Sequence, residues 1–259
     1  MFGGEIVGTF GNVAKRLGRG ALDLLFPPLC ASCRAPVMEP HSLCGECWSA
    51  ISFLDGPCCA ACGYPFDFDP GGDTLCGACL AKPPLFDRAR AAMRYDDKSR
   101  DLILALKRAD RLDLVPAFAK WLARAGREMV AESDIVVPVP LHRLRLWTRR
   151  FNQSAVLAQD LAHNSGLVSD PFVLERVRAT PSQGQMPSAK ARRRNVLGAF
   201  RVAPERRPAV AGKTVLLIDD VFTTGATVGA CARALKRAKA DKVLVLTLAR
   251  VVRAAMRDI

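Results

Sequence analysis

Two adjacent carboxylates and the threonine-rich loop after them are the side chains best suited to chemistry. Asp219 and Asp220 follow the apolar run 215–218, which is typical of a buried parallel strand. Helical spacing begins at residue 228 and continues to residue 240. The loop between the acids and this helix consists of small and hydroxyl-bearing residues, Thr223, Thr224, Gly225, Ala226 and Thr227. Backbone N–H groups at a helix start bind anions and hydroxyls add donors, so the loop predicts a phosphate site.

The two acids need a separate explanation, because carboxylates repel phosphate. They fit such a site if they accept hydrogen bonds from the hydroxyls of a sugar, or if they hold a metal ion. The alternative is a strand–turn–helix connection in which the Asp and Thr side chains only cap the helix. The length of the Asp-Asp-x-x-Thr-Thr-Gly-x-Thr pattern favours the sugar-phosphate interpretation.

This pattern resembles the loop that binds phosphoribosyl pyrophosphate (PRPP) in the type I phosphoribosyltransferases. The resemblance implies that Asp219 and Asp220 are the catalytic acids and that they hold the ribose 2′- and 3′-hydroxyls. It also implies that residues 223–227 cradle the 5-phosphate and that Mg²⁺ binds together with PRPP. The expected activity is therefore that of a PRPP-dependent glycosyltransferase.

A second apolar strand leads into a loop and then into a basic stretch. Residues 135–137 are followed by the rigid loop Pro138, Val139, Pro140 and then by Arg143, Arg145, Arg149 and Arg150. Open α/β sheets bind ligands at the carboxyl ends of their strands, so this loop is expected beside the two acids. We expect Pro138, Val139, Pro140 and Arg145 to bind the pyrophosphate. His142 is weighed equally as a base and as a structural residue. Lys107 is interpreted as a helix-end cation, with a role as a pyrophosphate ligand as the less favoured alternative.

Eight cysteines predict two structural Zn²⁺ sites. They form four Cys-x-x-Cys pairs, and each pair can offer two thiolates to a tetrahedral zinc ion. The pairs are Cys30 with Cys33, Cys44 with Cys47, Cys59 with Cys62, and Cys76 with Cys79. We expect successive pairs to share a metal, with a cross-braced pairing as the alternative. Disulfides are the rival interpretation, which the lack of a recognisable signal peptide disfavours.

No metal-binding or catalytic role is expected for the remaining cysteines and for His41. Cys58 stands beside Cys59 and is expected to be a spare cysteine, and His41 is expected to lie on the surface. Cys231 falls in the helix after the phosphate loop and is expected to be a small buried apolar residue.

Most of the chain resembles the ComF family, also called the GntX-like or competence protein F family. The segments that carry the resemblance are Val-Pro-Val-Pro-Leu-His at 137–142, Phe-Asn-Gln at 151–153, residues 178–183 and 193–200, and the Cys-rich region. Arg150 stands where family members often have glycine. The resemblance implies a type I phosphoribosyltransferase-like α/β fold with a doubly wound, mainly parallel sheet and a small N-terminal zinc-ribbon module. It further implies phosphoribosyl transfer to an unidentified nitrogen acceptor, a flexible segment within 179–195, and a link to DNA uptake in natural transformation.

Length and hydropathy suggest how the chain is organised. A chain of 259 residues suits one large and one small domain. We expect a lead segment with an amphipathic helix at 1–29, a double zinc ribbon at 30–82 and a phosphoribosyltransferase domain at 85–259. No apolar run reaches the ~18–20 residues that a transmembrane helix needs, and we expect a cytoplasmic protein.

The charge distribution points to an anionic partner. The chain has a net charge of +13, but residues 30–80 carry six acids and one base, so the remainder carries about +18. PRPP or a related phosphorylated ribose is one candidate partner, and single-stranded DNA or the DNA-uptake machinery is the other. Three interpretations stay open: a transferase, a non-catalytic PRPP- or nucleotide-binding protein, and a single-stranded-DNA-binding accessory protein. The acceptor and the oligomeric state are not specified by any residue pattern.

Overall fold

The computed structural model describes residues 27–107, 111–141, 151–178 and 194–252. The chain divides into a small unit, Met1–Ala50, and a large unit, Ile51–Ile259. Three predictions concern segments outside the described residues: the N-terminal amphipathic helix, the basic stretch 142–150, and most of the flexible segment 179–195.

The described part of the small unit is a cysteine knuckle around the first four zinc ligands. Leu29 and Pro36 form an antiparallel bridge on either side of the turn that carries Cys30 and Cys33. Helix α1 (Gly45–Ser49) then starts directly after Cys44, whose sulfur accepts a hydrogen bond from the Cys47 backbone N–H. Short local elements suit this segment, because a metal rather than an apolar core can hold it together.

The large unit is built on a five-stranded parallel sheet with the order β1-β7-β6-β2-β3. The strands of this sheet are β1 (Arg88–Arg94), β2 (Ile135–Pro138), β3 (Val168–Ser169), β6 (Thr214–Phe222) and β7 (Lys242–Arg250). A separate antiparallel pair consists of β4 (Leu174–Arg176) and β5 (Phe200–Val202). The parallel sheet confirms the predicted fold class.

Helices cover both faces of the sheet. The described helices of the large unit are α2 (Gly77–Ala81), α3 (Asp97–Lys107), α4 (Val115–Ala125), α5 (Arg127–Ala131), α6 (Gln153–Ser165), α7 (Arg207–Val210) and α8 (Ala226–Arg237). Helix α4 packs on β1 and β7, α6 packs on β2 and β6, and α8 packs on β6 and β7. Among the described helices, none combines the length and the hydropathy that crossing a bilayer requires.

The central strands are apolar on both faces because both faces are covered. Val215 and Leu217 of β6 belong to one buried cluster with Val228 and Leu235 of α8. The alternate residues of β6, such as Leu216, are equally buried and point to the opposite face. This continuous apolar pattern is typical of parallel sheets.

The second cysteine knuckle, residues 59–79, is part of the core of the large unit. Cys59, Cys62 and Cys79 are buried in the same cluster as the residues of α8 that face the sheet. The Ala89 backbone N–H of β1 donates to the Ala61 carbonyl at 2.7 Å, which ties the knuckle to the edge of the sheet. A Cβ added at Gly63 would lie 2.5 Å from the Ala89 carbonyl oxygen, so this close approach requires glycine.

Element boundaries near the acids differ from the sequence expectation. Strand β6 continues through Asp219 and Asp220 to Phe222, because Asp219, Val221 and Phe222 remain paired with β7. Helix α8 begins at Ala226 rather than at residue 228, and it ends at Arg237. The phosphate loop proper is therefore shorter than predicted, and two of its five residues, Ala226 and Thr227, form the first turn of the helix.

Candidate active site

The structure brings the two predicted loops together at the carboxyl edge of the sheet. Strands β2 and β6 are adjacent and parallel, with Pro138 opposite Ile218. The Val139 backbone N–H donates to the Ile218 carbonyl at 2.9 Å, and Val139 itself is buried. The loop 138–140 thus lies directly beside Asp219. The fourth predicted pyrophosphate residue, Arg145, is outside the described residues, as is His142.

Helix α6 supports Asp219 from the side. Asn152 caps this helix, since its side chain accepts a hydrogen bond from the Ser154 backbone N–H, and it also donates to the Val139 carbonyl at 3.0 Å. The first turn of the helix places the buried Ser154 so that its hydroxyl donates to Asp219 Oδ1 at 3.2 Å. The sequence did not assign Ser154 to the site, because a contact with a residue 65 positions away leaves no local pattern.

Asp219 is poised to titrate near neutral pH. Burial of its carboxyl and, next, the charge of neighbouring Asp220 raise the pKa of Asp219 to about 7. The Asp220 backbone N–H, the Lys107 charge and the Ser154 hydroxyl act in the opposite direction. Carboxylates with a pKa shifted by burial and by a like charge are frequent in functional sites.

Lys107 is the cation that faces the acid pair. It is the last residue of α3, and its Nζ lies 2.7 Å from Asp220 Oδ2. The two side chains are 25% and 20% exposed, so the pair is partly shielded from water. Lys107 was weighed but not assigned to the site from the sequence, because its approach depends on how α3 crosses the edge of the sheet.

The phosphate loop ends at Gly225, a position that requires glycine. Gly225 adopts φ +70° as the N-cap of α8, and a Cβ there would lie 2.8 Å from Phe222 Cζ. Because Gly225 offers no side chain, the first N–H groups of α8 have no side-chain cap within the described part of the chain. The buried Thr224 Oγ1 also lacks a hydrogen-bond partner among the described residues. Unpaired donors at a helix N-terminus are suited to an anion.

Arg250, at the carboxyl end of β7, was missed by sequence analysis. It is 5% exposed, and its guanidinium lies 5.3 Å from the Tyr64 ring centroid and 4.9 Å from that of Phe222. One guanidinium nitrogen donates to the Cys62 carbonyl. Arg250 therefore links the second knuckle to the base of the phosphate loop. A cation directly after the mostly apolar run 243–249 was the available signal.

The eight predicted cysteines form two four-thiol clusters with successive pairs together, which confirms the expected pairing. The clusters are Cys30, Cys33, Cys44 and Cys47, and Cys59, Cys62, Cys76 and Cys79, with all sulfurs of a cluster within 4.8 Å of one another. The Cys33–Cys44 and Cys62–Cys76 sulfur distances are 3.6 Å and 3.7 Å. A tetrahedron with Zn–S bonds of about 2.3 Å has edges of about 3.8 Å, so both clusters fit zinc.

Cys58, His41 and Cys231 lie outside the two clusters, as predicted. Cys231 is buried in the apolar core beside Val228. Both knuckles share a local shape, because Cys30 and Cys59 each accept backbone N–H groups from the following turn and from the third ligand of their cluster.

Comparison with known proteins agrees with both parts of the fold. Residues 21–80 match the double zinc ribbon domain, and residues 152–258 match the phosphoribosyl transferase domain. The chain is 37% identical to the DNA utilization protein YhgH of Salmonella typhi over 88% of its own length and 99% of that protein. It is 35% identical to YhgH of Escherichia coli K12 over the same shares, and 28% identical to competence protein F of Haemophilus influenzae over 85% of its length and 96% of that protein. The chain therefore belongs to the ComF family of phosphoribosyltransferase-fold proteins with an N-terminal double zinc ribbon.

Proposed function

We propose that this protein binds PRPP together with Mg²⁺ at the carboxyl edge of β2 and β6 and transfers its phosphoribosyl group to a nitrogen acceptor. The observation that carries the proposal is the combination of two adjacent carboxylates on β6 with unpaired donors at the start of α8. The carboxylates suit a sugar diol, and the donors suit a phosphate. Such a pair of complementary subsites is what a phosphorylated ribose requires.

Each part of PRPP has a corresponding group. Asp219 and Asp220 accept hydrogen bonds from the ribose hydroxyls, and residues 223–227 bind the 5-phosphate. The loop 138–140, followed by Arg145, faces the pyrophosphate. Oxygen ligands are those that Mg²⁺ prefers, and the adjacent carboxylates are the groups that would hold it. When bound, Mg²⁺ supplies positive charge that offsets the charge of the pyrophosphate.

The reaction breaks the bond between the anomeric carbon and the pyrophosphate oxygen and forms a bond from that carbon to nitrogen. Positive charge develops on the ribose ring as the pyrophosphate leaves with the bonding electrons. The carboxylates of Asp219 and Asp220 stabilise that charge, and the nitrogen releases a proton after it attacks. Rate enhancement then comes from positioning and from electrostatics. Asp219 contributes fully only when it is ionised.

Calorimetric titration with Mg·PRPP tests the proposal. We expect micromolar binding by the zinc-replete protein and loss of binding by the Asp219→Asn/Asp220→Asn variant. The comparison variant Asp96→Asn/Asp97→Asn removes two adjacent acids at the start of α3 and is expected to bind normally. No binding by folded, zinc-replete wild type would refute the proposal, and binding without turnover across nucleobase and amine acceptors would support the non-catalytic alternative.

A role in handling nucleic acid is the second candidate function. It is favoured by the names of the relatives, which are DNA utilization and competence proteins, and by the basic charge outside residues 30–80. Steep weakening of single-stranded DNA binding with salt would support this role.

Eight thiols placed for zinc are consistent with a reducing compartment, and we propose the cytoplasm.

A further inference from the structure

A cleft of about 740 Å³ runs along α8 on the side of the second cysteine knuckle. The exposed face of α8 forms its floor, and the segment 82–86 and strand β5 form its walls. One end of the cleft is the phosphate loop, residues 223–226. The volume is in the range of sites for small molecules and cofactors. The acids Asp219 and Asp220 are not part of its lining, so the cleft extends away from the expected ribose site.

The cleft is mainly cationic, because its cations outnumber the charge of about −2 that a zinc ion with four thiolates adds where Cys62, Cys76 and Cys79 line it. The described residues that line it include six cations and no acid, and the cations are Lys82, Arg201, Arg207, Arg233, Arg237 and Arg250. Arg201 is paired with Glu175 at 2.7 Å, and Arg250 is held by Cys62 and two rings. Ion pairs with described residues are absent for the other four. Cationic clefts with apolar walls concentrate anions.

The α8 residues on the floor of the cleft are small residues and arginines, which suits a flat ligand with several negative charges. Gly229, Ala230, Ala234 and Ala238 line the cleft at helical spacing, so no bulky side chain fills it. Arg233 and Arg237 stand one turn apart along the same face and are exposed. At a rise of about 1.5 Å per residue, these arginines are about 6 Å apart along the axis, and Ala226 to Arg237 spans about 16 Å.

The walls also provide apolar contacts. Pro83, Leu85 and Leu197 line the cleft and are exposed to solvent, with Leu197 62% exposed and Leu85 44% exposed. Apolar side chains that remain exposed beside arginines can pack against the flat faces of nucleobases. A purely inorganic anion would make no use of them.

We propose that this cleft binds the 5′-phosphorylated end of a nucleotide or short strand, with the terminal phosphate on residues 223–226 and the following phosphates at Arg233 and Arg237. The placement of the terminal phosphate rests on the proposed function of that loop. A stacked strand advances about 3.4 Å per nucleotide, so a face of about 16 Å accommodates several nucleotides. Free nucleotides and strand ends share this chemistry, and a binding experiment separates them.

Fluorescence anisotropy with a 3′-labelled, 5′-phosphorylated hexathymidylate tests the proposal. We expect the wild type to bind it more tightly than the same strand with a 5′-hydroxyl, and ribose 5-phosphate to displace it. The Arg233→Ala/Arg237→Ala variant is expected to bind about tenfold more weakly and to show a salt slope smaller by about 1.4, since two phosphate contacts are lost. Competition by thymidine 5′-monophosphate at an equal concentration would assign the site to free nucleotides, and a requirement for the chain would assign it to strand ends.

The Lys120→Ala/Arg127→Ala variant is the matched control, because it removes two exposed cations from α4 and α5 of the same unit. An equal loss of affinity in this control would overturn the cleft as the site. Equal binding of the 5′-hydroxyl strand, or no displacement by ribose 5-phosphate, would overturn the placement of the terminal phosphate. Mg·PRPP calorimetry on Arg233→Ala/Arg237→Ala is expected to match the wild type, so a failure of this proposal is separable from a failure of PRPP binding.

Discussion

At the scale of single residues, the ionised Asp219 carboxylate is energetically unfavourable in the ligand-free protein, and its proposed role in binding explains why it is present. Burial of its carboxyl and the charge of the adjacent Asp220 raise its pKa to about 7. Proteins accept such local destabilisation where a charged group must meet a ligand. Because the pKa of Asp219 is raised, its contribution to the free energy of unfolding depends on pH.

We expect Asp219→Asn to stabilise the ligand-free protein more at pH 8 than at pH 5.5. The unfolded chain releases this proton near the ordinary pKa of about 4, whereas the folded chain holds it to about 7. Between these values the folded state binds more protons, so the stability contributed by this group falls as pH rises. The amide removes that loss and keeps an oxygen for Ser154. The expected gain in Tm at pH 8 is about 2–4 °C.

Thermal unfolding of both proteins at the two pH values measures this effect. Taking the difference between the variant and the wild type cancels the titration of all other groups. A larger destabilisation of the variant at pH 8 than at pH 5.5 would contradict the raised pKa.

Lys107 is expected to stabilise the acid pair before any ligand binds. Lys107→Met leaves Asp220 without its partner at 2.7 Å and removes a charge that lowers the pKa of Asp219. Because the pair is partly exposed, we expect a loss of about 1 kcal/mol in the free energy of unfolding at pH 8. Urea denaturation measures it, with Lys98→Met in the first turn of the same helix as control. A loss no larger than that of the control would remove Lys107 from the site.

At the scale of elements, alanine substitution is expected to have opposite effects on stability at Gly225, in the phosphate loop, and at Gly229, in helix α8. Gly225→Ala places a Cβ at φ +70° and 2.8 Å from Phe222, so we expect a loss of about 1–2 kcal/mol. Gly229→Ala adds a Cβ with no atom within 4 Å inside helix α8, and we expect a gain of about 0.5–1 kcal/mol. Chemical denaturation of the two variants measures both changes. Similar effects from both substitutions would show that the left-handed turn at Gly225 is not what limits this position.

The sequence predicts those elements whose signals are local. The apolar run before Asp219, the loop to Thr227 and the Cys-x-x-Cys spacing each lie within a few residues, so strand, helix and zinc ligands were predictable. The strand extends beyond its apolar run because pairing with β7 holds Asp219 to Phe222 in register. The contacts of Lys107 and Ser154 with the acids depend on the crossing of helices over the sheet, which periodicity does not encode. Arg250 reaches Cys62 across 188 residues for the same reason.

At the scale of the whole molecule, the two zinc sites have different structural roles. The second site has three buried ligands within the core cluster of the large unit, whereas in the first only Cys30 is buried. Cys59 and Cys30 occupy equivalent positions and are both fully buried, which makes them a matched pair for substitution.

We expect Cys59→Ser to loosen the sheet of the large unit and Cys30→Ser to leave it protected. Each variant is expected to retain one zinc ion instead of two, measured by metal analysis. Hydrogen exchange of the β6 and β7 amides reports on the sheet, and we expect a loss of several kcal/mol of protection only in Cys59→Ser, because its metal site is continuous with the core. Equal exchange in the two variants would show that the second zinc is dispensable for the core.

Strand β1 pairs in the sheet with β7, so Arg88 finds its partner, Leu244, 156 residues later. During synthesis at about 5–20 residues per second, β1 and the finished knuckle wait roughly 8–30 s for that strand to emerge. Throughout this delay the edge strand β1 lacks β7, its neighbour in the parallel sheet, and pairing over such a separation is intrinsically slow. A nascent chain of this protein is therefore expected to need chaperone protection, and a chain terminated before residue 242 is expected to aggregate rather than to accumulate as a folded fragment.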